Sequence, residues 1–370
     1  LLVNVGSETL KYCVVSSLDN FHNKKLERRA IYNFFFNHVI ERKLIYHNKS
    51  LAIIKKAITK IAKTYDISVV GHRIVHGYGK KSCTVSSQLI RHLDHIVKLG
   101  LAPLHNPMQT KVLKVIKHLL PHAKHYALFD SDIYADIPQY NKLYAIPITL
   151  SKKYKIFRYG FHGLNHYYVA NIAAMMLNKP LNKLNIITAH IGGGCSITAF
   201  KRGKAIDTTM GFTPLEGCMM VTRAGSVDPS IVLFLLRLGF SHAKIEEILN
   251  MQSGIYGITG TRDFIRVLEL VKNKHKNNKN KKVETARLGF EMLVSSVAKH
   301  ILAIASNLEK IDALVFTAGI GENSNVFRRA VCDKLKVIGI NIDTKSNVQA
   351  DMKIESQTAV RISKTKPYVF

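Results

Sequence analysis

The sequence predicts an α/β protein of two lobes, and three observations carry that reading. Apolar, strand-like runs break abruptly into glycine- or hydroxyl-rich turns at three places. Strand and helix patterns alternate in both halves, and 370 residues suffice for two substantial cores. The turns are the most informative. Leu1-Leu2-Val3-Asn4-Val5 runs into Gly6-Ser7-Glu8-Thr9-Leu10-Lys11, and Ile186-Ile187-Thr188 leads through His190 and Ile191 to Gly192-Gly193-Gly194. Ala313–Thr317 runs into Ala318-Gly319-Ile320-Gly321-Glu322-Asn323. Glycines leave backbone N–H groups bare and admit an anion closely, as a phosphate-binding turn requires. One such turn often does no more than reverse the chain. Three behind buried-type strands predict a nucleotide's phosphates held between two lobes.

Along the chain, strands are expected near 1–5, 10–16 and 67–70, with helical spacing near 50–63 and 87–99. After Asp130 the alternation resumes with a helix near 165–177, strands near 184–190 and 195–200, and helices near 228–237 and 242–250. A long helix near 283–308 places Phe290, Leu293, Val294, Val297, Ile301 and Leu308 on one face, and a strand at 313–317 follows. The expected division is a first lobe of 1–131 and a second of 132–370 that carries the nucleotide loops.

Composition bounds the function classes. Five scattered cysteines (Cys13, Cys83, Cys195, Cys218, Cys332), never spaced as CxxC, argue against a disulfide framework or a zinc site. No apolar run reaches the roughly 18 residues of a membrane helix. The N-terminus opens on a strand rather than on a signal peptide, so a cytoplasmic protein is expected. The net charge of +29, from 54 basic and 25 acidic residues, admits a nucleic-acid reading. The densest run, Lys272 to Lys282, contains no aromatic on which a base could stack and reads as a solvated loop. The charge is therefore read as surface composition, favouring anionic substrates without specific nucleic-acid or membrane binding.

Spaced blocks then point to one family. They are Asn4-Val-Gly-Ser7 with Lys11, Gly71-His-Arg-Ile-Val-His-Gly77, Leu101-Ala-Pro-Leu-His-Asn-Pro107, Phe129-Asp130 and Tyr159-Gly-Phe-His-Gly163. Met210-Gly-Phe-Thr-Pro-Leu-Glu-Gly217, Thr222-Arg223, Asp228-Pro229 and Phe316-Thr-Ala-Gly-Ile-Gly-Glu-Asn-Ser324 complete the set. In these blocks the chain resembles the acetate kinases. The resemblance implies two actin-like (ribonuclease H-like) lobes with a cleft between them, and a homodimer. It implies reversible transfer of the ATP γ-phosphate to acetate, giving acetyl phosphate and ADP, with Mg²⁺ or Mn²⁺. Propionate is the second choice of acceptor, and a homologue that keeps the fold with little catalysis is the alternative.

The residue types suit such chemistry. A carboxylate attacking a phosphate is repelled by it, so catalysis must come from positioning and charge neutralisation. Arg73 and Arg223 have the planar forks that grip carboxylate and phosphoryl oxygens. His162, assisted by His105, has a donor for the transferring group, and Asp130 is placed to hold magnesium or orient the acyl group. The resemblance further implies a small acyl pocket of Val75, Leu104, Phe161 and Pro214, and Asn4 as a metal-facing residue. It assigns ATP to Lys11, Ser7, Thr9, His190, Ile191, Gly192, Gly193, Gly194, Asp263, Phe264, Ile265, Gly319, Ile320, Gly321, Glu322 and Asn323. Singly, each of these is more often a structural residue. In this order, together, they read as a site.

Several positions depart from the family pattern. Its HLGNG loop is His190-Ile-Gly-Gly-Gly194 here, so an asparagine is replaced by Gly193. Glu8-Thr9 stands for two serines, Ile265 for an arginine that Arg266 is placed to replace, and Phe129-Asp-Ser-Asp-Ile-Tyr134 for FDTAFH. The sequence ends at Phe370, before the TNEE motif whose glutamate the resemblance makes a metal ligand. A chain lacking that segment is expected to fold and turn over poorly.

Overall fold

The structure, a computed structural model, describes residues 1–5, 9–15, 39–46, 50–272, 280–352 and 359–370, with only the backbone of residues 9, 39–46 and 352. The chain divides into two compact units, Leu1–Ala135 and Asp136–Phe370. The 3₁₀ turn Asp132–Tyr134 stays with the first unit, because the Asp132 carboxylate accepts the Ser82 N–H at 3.0 Å. The division thus falls four residues beyond the expected 131/132 boundary.

In the first unit, strands β1 (Leu2–Val5), β2 (Thr9–Val15) and β3 (Val39–Tyr46) form an antiparallel set. Helix α1 (Leu51–Thr64) leads to β4 (Val69–Ile74), which pairs parallel with β1. A short β5 (Cys83–Thr84), α2 (Ser87–Lys98) and α3 (Asn106–Leu119) precede β6 (Lys124–Phe129), which lies parallel to β4. The sheet order is β3-β2-β1-β4-β6-β5. Ile54, Ile58 and Ile61 recur at helical spacing on α1 and pack with Val112 and Ile116 of α3 against Val3, Val5, Leu10 and Val70. On α2, Ser86 caps the helix by accepting the Leu89 N–H at 3.1 Å.

In the second unit, α4 (Gly163–Met176) precedes a meander of β7 (Asn185–Ile191), β8 (Cys195–Lys201) and β9 (Lys204–Thr208). Four helices follow: α5 (Pro229–Arg237), α6 (His242–Met251), α7 (Gly254–Thr259) and α8 (Phe264–Lys272). Helix α9 (Lys281–Ala305) runs to β10 (Ala313–Thr317), then α10 (Ala318–Asn323), α11 (Asn325–Lys334), α12 (Thr344–Met352) and β11 (Tyr368–Val369). The sheet order is β11-β10-β7-β8-β9. The long helix ends at Ala305, so Leu308 lies beyond it, while Phe290, Leu293, Val294, Val297 and Ile301 are buried as the spacing predicts. By length and composition α9 could cross a membrane, a feature that counting unbroken apolar runs misses. Its apolar face instead packs on α7, α8, α11 and β8, as a core helix does.

Candidate functional site

Two clusters of candidate residues emerge, one in each unit. In the first, Arg73 stands near the end of β4. Its Nε and Nη2 donate to the two Asp130 carboxylate oxygens at 3.0 and 2.6 Å, and its Nη1 donates to Asn4 Oδ1 at 2.8 Å. Burial works against the guanidinium charge, yet the Asp130 carboxylate beside it raises its pKa above the ordinary value. The strand ends around this fork are pinned by two buried amides of α3. Asn106 accepts the His76 N–H at 3.0 Å and donates to the His76 carbonyl at 2.9 Å. Gln109 accepts the Val75 N–H at 2.9 Å and donates to the Val5 carbonyl at 3.1 Å. His105 is the N-terminal cap residue of α3, and Lys11 is exposed on β2. Ser7 and the Thr9 side chain lie outside the described residues, as does most of the lysine run.

Beside Arg73, His72 stacks on His125 with Nε2 2.9 Å from Nδ1, and His125 Nε2 meets the Leu120 carbonyl at 2.9 Å. That carbonyl only accepts, so His125 donates from Nε2 and accepts the His72 proton at Nδ1. Burial, then the nearby positive groups, takes the His72 pKa down to about 3, so the pair is neutral.

In the second unit, the glycine turn is the centre. Gly192 to Gly194 closes β7 onto β8, with the Gly192 N–H bonded to the Gly194 carbonyl at 2.9 Å. A Cβ at Gly194 would lie 3.3 Å from His162 Nε2 and 3.4 Å from Arg223 Nη1, so both side chains close over the turn. A Cβ at Gly192 would lie 3.4 Å from the Ala318 Cβ and 3.7 Å from the Gly319 nitrogen. The second and third glycine turns therefore sit together. At Gly193 and Gly319 such an atom would meet nothing within 4 Å, which leaves open space for a ligand.

Each side chain is held from behind. His162 caps α4 in the left-handed region, φ +56, and its ring stacks on His190 at 4.0 Å. His190 Nδ1 donates to Asn165 Oδ1 at 2.8 Å. Arg223 is 7% exposed and donates to the Pro214 carbonyl at 3.2 Å. No carboxylate among the described residues pairs with it, and burial alone takes its pKa down to about 10. In α10, Glu322 accepts from Thr317 Oγ1 and the Ala318 N–H, both at 2.8 Å. The buried Arg328 donates to the Gly321 and Glu322 carbonyls at 2.9 and 2.6 Å, fixing that turn.

The other sequence candidates divide between the units. Val75 is buried and Leu104 half-buried in the first, while Phe161 and Pro214 are buried in the second. Asp263 accepts the N–H groups of Ile265 and Arg266 at 2.9 and 3.3 Å, at the start of α8. Phe264 turns inward onto Phe290 and Phe327, and Ile265 is 70% exposed. For a divalent metal, Asn4 and Asp130 are oxygen donors of the right kind. Arg73 donates to the Asn4 Oδ1 and to both Asp130 oxygens, however, and no cluster of three metal-ligating side chains occurs among the described residues. These two residues do not by themselves make a metal site.

An anion-handling α/β protein, with paired glycine turns under a buried arginine and a histidine, is the class this geometry defines. The Acetokinase family model matches residues 1–369, and the chain belongs to that family. It is 37% identical over 365 residues to an acetate kinase of Heliobacterium modesticaldum, covering 94% of this chain and 90% of the relative. An acetate kinase of Carboxydothermus hydrogenoformans is 38% identical, covering 94% and 89%. Among solved structures, a propionate kinase from Francisella tularensis superposes with TM-score 0.82 at 30% identity, covering 100% of this chain and 94% of the other. The acetate kinase of Porphyromonas gingivalis gives 0.77 at 31% identity, with the same coverage. The two units are the lobes of the actin-like α/β fold of these enzymes.

Proposed function

We propose that this chain is an acetate kinase that moves the γ-phosphate of ATP reversibly to acetate, giving acetyl phosphate and ADP. The observation that carries the reading is Arg223, a buried guanidinium with no carboxylate partner among the described residues, set beside His162 over two glycine turns. A buried charge is costly unless it is compensated, and a transferring phosphoryl group supplies the missing negative charge. The acetate oxygen attacks the γ-phosphorus as the bond to the ADP oxygen breaks, and no proton need be abstracted. Arg223 and His162 stabilise the equatorial oxygens, while the N–H groups of Gly193, Gly194 and Gly319 receive the nucleotide phosphates. Arg73, held by Asp130 and Asn4, orients the acceptor carboxylate. Mg²⁺ or Mn²⁺ enters with the nucleotide, whose phosphate oxygens provide anionic ligands.

The family resemblance assigns Val75, Leu104, Phe161 and Pro214 to the acyl group, and all four are apolar, as a methyl group requires. One further methylene changes discrimination by only ~1–3 kcal/mol, so propionate is the second substrate. Helix α5 supports a homodimer: none of its residues is buried, and Leu233 and Phe234 are 52% and 57% exposed. Five free cysteines suit a cytoplasmic protein. The deciding experiment traps acetyl phosphate as its hydroxamate from ATP, acetate and Mg²⁺. A product that disappears on chelation of the metal is expected, and no product with acetate or propionate would overturn the reading.

A further inference from the structure

Behind the glycine turn, a row of polar side chains crosses an otherwise apolar sheet face. Thr188 and His190 on β7 lie opposite Thr198 and Ser196 on β8, and paired alternate residues share a face. Helix α4 lays His162 and His166 over them. Thr188, Ser196 and His166 are fully buried. Thr188 Oγ1 is 2.7 Å from His166 Nδ1, His166 Nε2 is 2.7 Å from Ser196 Oγ, and Ser196 Oγ is 2.7 Å from His162 Nδ1. The chain ends at His162 Nε2, which faces the Gly194 turn.

Each link holds one proton, so the direction of one link sets the others. Burial, and then the neighbouring His190, keep His166 neutral, with one donor and one acceptor nitrogen. The Thr188 hydroxyl has two acceptors within reach. The Thr198 carbonyl is 3.5 Å away, beyond the usual O–H···O range of about 2.5–3.0 Å, whereas His166 Nδ1 is at 2.7 Å. Thr188 therefore donates to His166, His166 Nε2–H donates to Ser196, and Ser196 donates to His162 Nδ1. The proton of neutral His162 is left on Nε2.

We propose that Thr188, His166 and Ser196 form a tautomer-setting relay that holds neutral His162 with its Nε2–H directed at the phosphoryl oxygen. The three are positioning residues, since only His162 touches the reacting group. The phosphoryl acceptor rests on the kinase reading, while the relay rests on the buried hydrogen bonds alone. Its consequence is a donor that is present without an imidazolium. The titratable and charged groups facing His162 are His190 on β7, His166 on α4 and Arg223 across Gly194. Glu322 of the adjoining α10 is turned onto Thr317 and Ala318.

The test combines tautomer and rate. Protein labelled with ¹⁵N-histidine, with signals assigned through His162→Gln and His166→Gln, reports the tautomer by two-bond N–H correlations. The parent is expected to show His162 protonated at Nε2 near neutral pH. Ser196→Ala should shift His162 toward the Nδ1–H form and lower kcat by about 10–100-fold, the scale on which loss of an orienting partner acts. KM for ATP and acetate should stay within about threefold. The parent kcat should be flat from about pH 6.5 to 8.5, whereas the variant's residual rate should rise toward acid, where imidazolium supplies the missing Nε2–H. Ser196→Thr, which keeps the hydroxyl, should restore most of the rate. An Nδ1–H His162 in the parent, or an unchanged kcat in Ser196→Ala, overturns the proposal. An Nε2–H His162 in a protein that makes no acetyl phosphate would overturn the kinase reading and leave the relay standing.

Discussion

The two units share a sheet topology and hold an arginine in opposite ways. From β3 to β6 in the first unit, and from β9 to β11 in the second, the pairings run antiparallel, antiparallel, parallel, parallel. In the first unit the guanidinium of Arg73 is satisfied internally by Asp130 and Asn4, and its pKa is raised. In the second, Arg223 is buried with a carbonyl and a thioether for company, and its pKa falls to about 10. Arg73 is tied into the folded chain, whereas in the proposed function Arg223 is kept for the phosphoryl group.

The largest break in that comparison is kinetic. Arg223→Ala should lower kcat by ~10³–10⁵, the range for an arginine that stabilises a transferring phosphoryl group, with Arg223→Lys recovering part of it. Steady-state rates by hydroxamate trapping measure this, and a near-parental Ala variant would remove Arg223 from the chemistry.

A smaller effect concerns acid stability, and it belongs to the first unit. The folded His72 pKa of about 3 lies below the ordinary 6.5, so the unfolded chain takes up this proton first as pH falls. Its contribution is intact above 6.5 and is lost toward 3, at about 1.4 kcal/mol per pH unit at most. Denaturant midpoints across that window should fall with pH in the parent and fall less in His72→Gln.

The smallest effect is at Gly193, where an added Cβ meets nothing within 4 Å and the backbone is not left-handed. Gly193→Asn should leave stability within about 0.5 kcal/mol. It should lower KM for ATP a few-fold by adding one polar contact beside the phosphates, as substrate titrations would show.

Local patterns made much of this legible in the sequence. The second and third glycine turns, the strand ahead of each and the apolar face of α9 follow from periodicity and backbone freedom, which neighbouring residues determine. The end of α9 did not, because nothing local separates Leu308 from the helix that stops at Ala305. Site partners were harder. Asp130 lies 57 residues from Arg73, and no sequence rule indicates that one carboxylate takes both sides of the fork. Asn106 stood only inside a motif block and Gln109 in none, yet both are buried backbone partners. Thr188, Ser196 and His166 escaped notice too, although polar residues alternating with apolar ones through Ile187–Thr198 were a visible sign. Helix α5 was legible as a helix, but nothing local shows that none of its apolar residues is buried.

Melting without ligand tests the central contrast most directly, because it asks which arginine the fold needs. Arg73→Met leaves the buried Asp130 carboxylate without its partner, so its apparent Tm should drop by several degrees. Arg223→Met removes a buried cation that has no counter-charge among the described residues, so the same scan should give a Tm at or above the parent's while activity is lost. An Arg223→Met protein that melts as low as Arg73→Met would contradict the account, since Arg223 would then be part of the fold rather than reserved for phosphate.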